Sequence, residues 1–234
     1  SNKSIPHFSL FQAGPGDSSQ IFTASGQRVA MGIDYDDEKN FKIALSGELY
    51  GTSYTEDSTV VRIHTEVASE GIIDFNHQSR FRVYRNSTQT ASNDTWTKIE
   101  FDTKEYDEKS EFDAGGAGLF PNLATIRETG YYQVNARYEF TDIADSEAAE
   151  AYGSIAIYKG GVVYSYGNNL ALTYTDSGLG QVSKLIPNPG FVVSDVVYLS
   201  AGDIIGIFAY QNTGGNKTID SGSAVTYFSC HKIS

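Results

Sequence analysis

The chain has 234 residues with 17 basic and 29 acidic side chains, a formal net charge of −12 and a pI near 4.7, a balance that excludes a nucleic-acid partner held by counterion release. That length allows one large or two modest domains and a core that needs no covalent staple; the one cysteine, Cys230, has no intrachain partner for a disulfide or a Cys-based zinc site. Sixteen Tyr, 13 Phe and 23 Gly, with no sustained helical spacing of apolar residues and no run near the ~18 that span a membrane as a helix, describe a β-rich chain with many turns.

The opening Ser1-Asn2, with no initiator methionine and no basic-then-apolar leader, is expected of a processed or cloned piece of a longer protein. Short strands are predicted at residues 29–35, 40–44, 60–64, 72–76 and 81–84, each too short and too polar to close a core alone. The text from Met31 to Ile43, with Gly32-Ile33-Asp34 followed by Asn40-Phe41-Lys42-Ile43, resembles segments of bacteriophage tail fibres and tailspikes. That resemblance implies three chains sharing one β-structured shaft. Residues 1–90 are therefore expected to form a short trimeric stalk, and the polar stretch from Arg85 to Asp94 to mark its boundary with a head at 91–234.

Beyond Trp96 the sequence alternates between strands and turns, with strands predicted at 97–102, 111–113, 123–126, 131–140, 153–159, 162–166, 191–199, 204–210 and 224–233 and at most a helical turn at 142–151. The clearest is 131–140. Tyr132, Val134, Ala136, Tyr138 and Phe140 point one way and Gln133, Asn135, Arg137 and Glu139 the other, so one face covers a core. Many short strands at this spacing predict an all-β chain ending in an antiparallel sandwich or jelly roll.

Three features then coincide in order: Gly130-Tyr131-Tyr132 opening the long strand, Leu199-Ser200-Ala201-Gly202-Asp203 before an apolar strand, and a closing strand with Phe228. From about Trp96 to Ser234 the chain resembles the complement and tumour necrosis factor-like jelly roll. The resemblance implies an antiparallel jelly-roll β-sandwich, a homotrimer, and both ends of the head on the stalk side. The connection after Tyr166 is longer than the family pattern.

Chemistry-bearing motifs are scarce. His7, His64, His77 and His231 have no metal-ligand spacing, and no nucleophile elbow, P-loop or dinucleotide fingerprint occurs, so a non-enzyme is expected. Paired carboxylates for glycoside hydrolysis could come from distant strands, but a short shaft offers little room for a polysaccharide groove. No cofactor is expected; two acidic clusters, Asp34 to Asn40 and Asp142 to Glu147, leave a structural calcium ion as the one candidate, against the simpler reading of a solvated hairpin turn for the first. Exposed Tyr164, Tyr166 and Tyr174 near Asn168, Asn169 and Asp176 suit stacking on sugars, although most aromatics must be core. Sequons begin at Asn2, Asn86, Asn93 and Asn216.

The function expected is that of a viral, bacteriophage-type fibre tip on the virion surface, a homotrimer attaching to a host cell-surface glycan or protein and joined to other virion fibre proteins. Alternatives are a secreted trimeric signalling ligand or lectin, a structural virion decoration, and a capsule-degrading hydrolase. Counting strand reversals places the connections 141–150, 167–190 and 211–222 together at one end, opposite the tight turns at 160–161 and 200–202. Tyr174, Asp176, Asn212, Asn216 and Lys217 are accordingly the expected receptor-binding residues.

Overall fold

The computed structural model describes residues 18–24, 27–34, 40–46, 59–63, 73–75, 78–115, 119–141, 151–176, 182–185 and 188–233. Two compact units, Ser1–His77 and Gln78–Ser234, divide the chain. Among the described residues the regular elements are strands, and their pairings are antiparallel.

The first unit is a meander of β1 (Ser18–Ala24), β2 (Gln27–Asp34), β3 (Asn40–Ser46), β4 (Thr59–Ile63) and β5 (Ile73–Phe75), each paired with the next. Register sets Gln20, Met31, Ile43, Val61 and Phe75 in one row across the sheet. Val29, Met31, Phe41, Ile43 and Val61 are half-buried, and their two-residue spacing within β2 and β3 puts them on one face. Asp34 pairs with Asn40 at the two ends of the first acidic cluster; residues 35–39 and 142–150, with the rest of that cluster, the second cluster and the expected helical turn apart from Ala151, lie outside the described residues.

The second unit contains β6 (Arg80–Tyr84), β7 (Gln89–Ala91), β8 (Thr97–Lys98), β9 (Thr103–Asp107), β10 (Ala124–Thr125), β11 (Gly130–Thr141), β12 (Tyr152–Lys159), β13 (Val162–Ala171), β14 (Thr173–Asp176), β15 (Val182–Leu185), β16 (Gly190–Leu199), β17 (Ile204–Gln211), β18 (Lys217–Ile219) and β19 (Tyr227–Lys232). One sheet runs β16-β11-β19-β6-β9, with β18 and then β7 continuing beyond the end of β19; the other runs β10-β17-β12-β13 with β8 also on β17. From β7 to β12 the chain changes sheet at every step, and later it crosses after β13 (through β14 and β15), after β16 and after β17. This is an antiparallel jelly-roll β-sandwich, and β14 and β15 form a separate hairpin.

The core lies between the sheets. β11 buries the five side chains its alternation requires, Tyr132, Val134, Ala136, Tyr138 and Phe140, while Tyr131 stays half exposed. Facing them are Ile155 and Ile157 of β12 and Ile205, Ile207 and Ala209 of β17. Tyr138 stacks on Phe191 at 4.7 Å and crosses the sandwich to donate a hydrogen bond to the Ser154 carbonyl at 2.9 Å. Gly153 makes that stack fit, because a Cβ there would stand 2.5 Å from Phe191 Cζ. Burial pushes the Tyr138 phenol well above its ordinary pKa, so it remains a donor. Turn chemistry fixes the ends: Gly160 and Gly161 have φ of 58° and 85°, as a two-residue hairpin demands. In the second turn Gly202 has φ of 93° while Asp203 accepts from Ser200 N at 2.7 Å and pairs with Lys159 at 2.6 Å.

Several expectations shift. The sequence places strand 81–84 in the expected stalk, but β6 pairs with β19 and fully buries Phe81 and Val83 in the second unit's core. The stretch from Arg85 to Asp94 lies inside that unit. Arg85 is buried, its backbone N–H bonds to the Thr226 carbonyl at 3.0 Å, and its guanidinium donates to the carbonyls of Ser87, Thr88 and Glu100. Residues 111–113 give only an isolated bridge between Phe112 and Ala124, because the Asp107 carboxylate takes the N–H groups of Glu111 and Phe112 that a strand partner would need. β13 continues past Tyr166 to Ala171, which together with the β14–β15 hairpin accounts for the long connection.

Replacing Tyr138 by Ala should cost ~3–5 kcal/mol, the range for emptying a core aromatic site, in denaturant unfolding at fixed protein concentration; a cost below about 1 kcal/mol would contradict its place between the sheets. A second expectation concerns acid. His231 Nε2 lies 2.6 Å from the Tyr106 hydroxyl, and burial, then the charge of Arg80, hold its pKa below the ordinary 6.5. The fold therefore favours neutral His231, a contribution present above the unfolded pKa and lost as pH falls through it toward the folded value. Melting temperature should fall below about pH 6.5, and less steeply in His231→Gln.

Candidate functional site

Pair registers give the second unit two unlike ends. Arg80 pairs with His231 and Gly130 with Leu199 at one end, which also holds the turns at Gly160-Gly161 and 200–202. At the other end Tyr84 pairs with Tyr227, Gly153 with Gln211 and Tyr152 with Ala171. The connection 212–226 and the β14–β15 hairpin depart from this second end. Parity counting thus matches the strand order, even though β14 and β15 interrupt the third connection.

Of the five residues expected at a receptor surface, three share a loop. Asn212 Oδ1 accepts from Tyr152 N at 2.7 Å, Asn216 Oδ1 accepts from Asn93 N at 3.2 Å, and Lys217 pairs with Ala91. Asn93 Oδ1 in turn accepts from Gly214 N at 2.8 Å, so the amides of two sequon asparagines are committed to holding this loop on residues 93–94. Tyr174 and Asp176 lie on the separate hairpin, paired with Lys184 and Val182.

The outward face of the β17–β12–β13 sheet carries what sequence reading missed. Outward positions alternate small with aromatic: Ser154 pairs with Tyr210 and Ala156 with Phe208. Ser154 and Ala156 are buried although they face away from the core, and Ala156 is not a member of the core cluster. What covers them is a second aromatic layer. Trp96, from the connection before β8, lies 5.9 Å from Tyr158, 6.0 Å from Tyr166 and 5.3 Å from Tyr210, while Tyr152 lies 5.3 Å from Tyr210 and Tyr158 stacks on Phe208 at 3.9 Å.

Between these rings an open cleft of about 500 Å³ is lined by Trp96, Tyr152, Ser154, Tyr166, Gly167, Asn169 and Tyr210. Gly167 also borders it, and only glycine fits there because a Cβ would run inward into Ile155 Cγ2 and the Val192 carbonyl oxygen, each at 2.4 Å. Tyr210 donates to Asp94 Oδ1 at 2.5 Å. That bond, with the neighbouring Tyr152, holds the Tyr210 phenol above its ordinary pKa, so it stays protonated across the physiological range. Tyr166 and Asn169 were among the sugar-stacking residues expected from sequence; Trp96, Tyr152 and Tyr210 were not. The only sequence signal of Tyr152 and Tyr210 is an aromatic at an outward strand position, and Trp96, in the connection before β8, has none.

A third feature occupies the opposite sheet. On the outward face of β11 and β16, Tyr131, Val192, Val196 and Tyr198 are about half exposed, with Tyr131 and Tyr198 in contact at 5.2 Å. Polar residues lie among them: Gln133 donates to Ser194 at 3.1 Å and Ser194 to Asn135 at 2.8 Å. Among the described residues no group of three or more His, Cys, Asp or Glu side chains is placed to hold a metal ion.

No family model matches the chain, and no curated protein matches it. Solved structures to which it is similar include murine APRIL, at 11% identity over 67% of this chain and 99% of that one with a TM-score of 0.45. Two others are the Eiger TNF of S. frugiperda, at 11% identity over 67% and 93% with a TM-score of 0.41, and the globular domain of zebrafish complement 1qA protein, at 17% over 67% and 98% with a TM-score of 0.39.

The chain's one tryptophan stands in the cleft, so its emission reports on that surface. Tyr158→Ala should move Trp96 emission to longer wavelength by admitting water, whereas Tyr131→Ala on the other sheet should leave it unchanged; equal responses would dissociate Trp96 from the cleft.

Proposed function

We propose that this chain is a homotrimeric fibre tip of bacteriophage type, standing on the virion surface and attaching it to a receptor on the host cell. The observation that carries the reading is the polarity of the second unit. Its chain enters at Gln78 beside the final strand, with Lys232 N bonded to the Ser79 carbonyl at 2.9 Å, and its longer connections leave from the opposite end. A head mounted on the preceding residues would present those connections outward, and loops on a rigid scaffold are where recognition concentrates. Tyr174, Asp176, Asn212, Asn216 and Lys217 are the residues we assign to that adsorption face.

Trimer formation is supported by the half-exposed apolar residues on β11 and β16, since several large apolar side chains left half exposed on one sheet face suit association. The first unit supports it too. Its half-buried residues on β2, β3 and β4 lie on one face of the sheet that the described residues of that unit form, and a sheet with an apolar face needs a second layer, which copies of itself would supply. The viral assignment rests on the resemblance of Met31 to Ile43 to fibre segments. Three linked heads could raise avidity ~10²–10⁴-fold over a single contact.

Light scattering on the intact protein should give about three times 25.5 kDa, and the double substitution Val196→Asp, Tyr198→Asp should return it toward one chain; a wild-type monomer at micromolar concentration would overturn the assembly. Labelled protein should adsorb to a subset of bacterial strains. Alanine at Asn212, Asn216 and Lys217 should weaken adsorption without changing mass. Adsorption only to animal cells would favour the secreted-ligand reading.

A further inference from the structure

We infer that the aromatic cleft on the outward face of the β17–β12–β13 sheet is a binding site for a neutral pyranose residue of a surface glycan. The inference rests on the attachment reading and names the class of receptor.

The rings of the cleft do more than cover the sheet. Burying Ser154 and Ala156 needs a lid, yet Tyr166 remains 66% exposed and Tyr152 37% exposed while both line the opening. A tyrosine turned to water at that level leaves a large apolar face unsatisfied, and its flat surface suits the C–H face of a sugar ring. The depression has a structural origin: the small Ser154 side chain lowers the floor, while Trp96, Tyr166 and Tyr210 raise the walls. At about 500 Å³ it falls within the roughly 300–1,000 Å³ of small-ligand sites.

Polar groups complete a sugar's requirements. The Asn169 side chain, exposed at the lining, forms no hydrogen bond among the described residues and offers a donor and an acceptor. Asp94 accepts the Tyr210 bond through Oδ1 and keeps a second oxygen for a hydroxyl. Charge then selects the sugar. No Lys, Arg or His lines the cleft, Asp94 stands beside it, and the whole chain carries −12. Phosphorylated, sialylated and uronic acid residues would meet repulsion without a cation to offset it. A proline-rich peptide would also accept aromatic walls, but this cleft has the polar Asn169 and Ser154 in its lining and Asp94 bonded to its Tyr210 wall, which suit hydroxyls better than proline rings.

The geometry also suits presentation. The cleft is on the sheet opposite the apolar β11–β16 face, so an assembly through that face leaves every copy of the cleft in solvent.

The test is titration of the full-length protein, followed by Trp96 emission, with oligosaccharides of neutral hexoses and N-acetylhexosamines, their sialylated and uronic acid counterparts, and a polyproline peptide. A saturable change is expected with at least one neutral series. Tyr166→Ala and Asn169→Ala should each weaken it by about tenfold or more, Tyr166→Phe should retain most of it, and all three should keep the wild-type mass and melting temperature. No saturation with any neutral sugar, stronger binding of the anionic series, or a response to the peptide alone would overturn the assignment. Bacterial adsorption separates the two readings. If adsorption survives Tyr166→Ala but is lost with the loop substitutions, the glycan site fails and attachment stands; if sugars bind and no bacterium is adsorbed, the attachment reading fails and the site stands.

Discussion

Two sheets that share one core must be held at a fixed separation, and here that constraint falls on alternate residues of β11. The strand pairs with β16 along one edge and with β19 and β18 along the other, so its inward side chains meet most of the apolar interior. Tyr138 does this twice over, stacking on Phe191 within its own sheet and bonding to the Ser154 carbonyl of the other. A buried hydroxyl without that acceptor would lose roughly 1–3 kcal/mol to desolvation. The bond therefore sets where β12 lies relative to β11, and Gly153 beside it admits the Phe191 ring.

Placement of β12 is also placement of the cleft. Ser154 contributes its carbonyl to the core and its side-chain position to the cleft floor, so a change in the packing of Tyr138 would be transmitted through one residue to the outer face. The two sides of this sheet have opposite patterns. Inward, Ile155, Ile157, Ile205 and Ile207 make an even apolar surface. Outward, small residues sit between aromatic ones, and unevenness of that kind produces a depression where uniform residues would produce a flat sheet. Nothing in core packing requires the outward pattern.

Much of the architecture was legible because alternation with period two is a local signal. The long strand from Tyr131, the hairpin at Gly160-Gly161 and the Gly202-Asp203 turn each follow from residues adjacent in sequence. What escaped had no such signal. β9 reads Thr-Lys-Glu-Tyr-Asp, with charges where apolar residues would announce a strand, and it is held as an edge by pairing with β6 and by the ion pair between Arg82 and Glu105. Arg85 looked like the start of a linker because a buried arginine satisfied by backbone carbonyls is indistinguishable in sequence from an exposed one. The cleft draws on four separate stretches of chain, so only Tyr166 and Asn169, three residues apart, could be associated beforehand. Trp96 joins them through folding alone.

The hydrogen bond between Lys232 and Ser79 bears on how a sandwich of this kind can change over time. Because β6 and β19 are antiparallel neighbours, Arg80 lies opposite His231, and the first and last strands of the sandwich are side by side in space although they are far apart in sequence. A gene segment coding for this unit is thus a cassette with a single spatial seam. Recombination that replaced it with another sandwich of the same strand order would change the cleft and the loops together, yet would need to reconcile only one short stretch of β6 and β19 with what precedes it. A new outer surface could be grafted whole, without passing through intermediates in which a half-altered surface must still fold on an unaltered core.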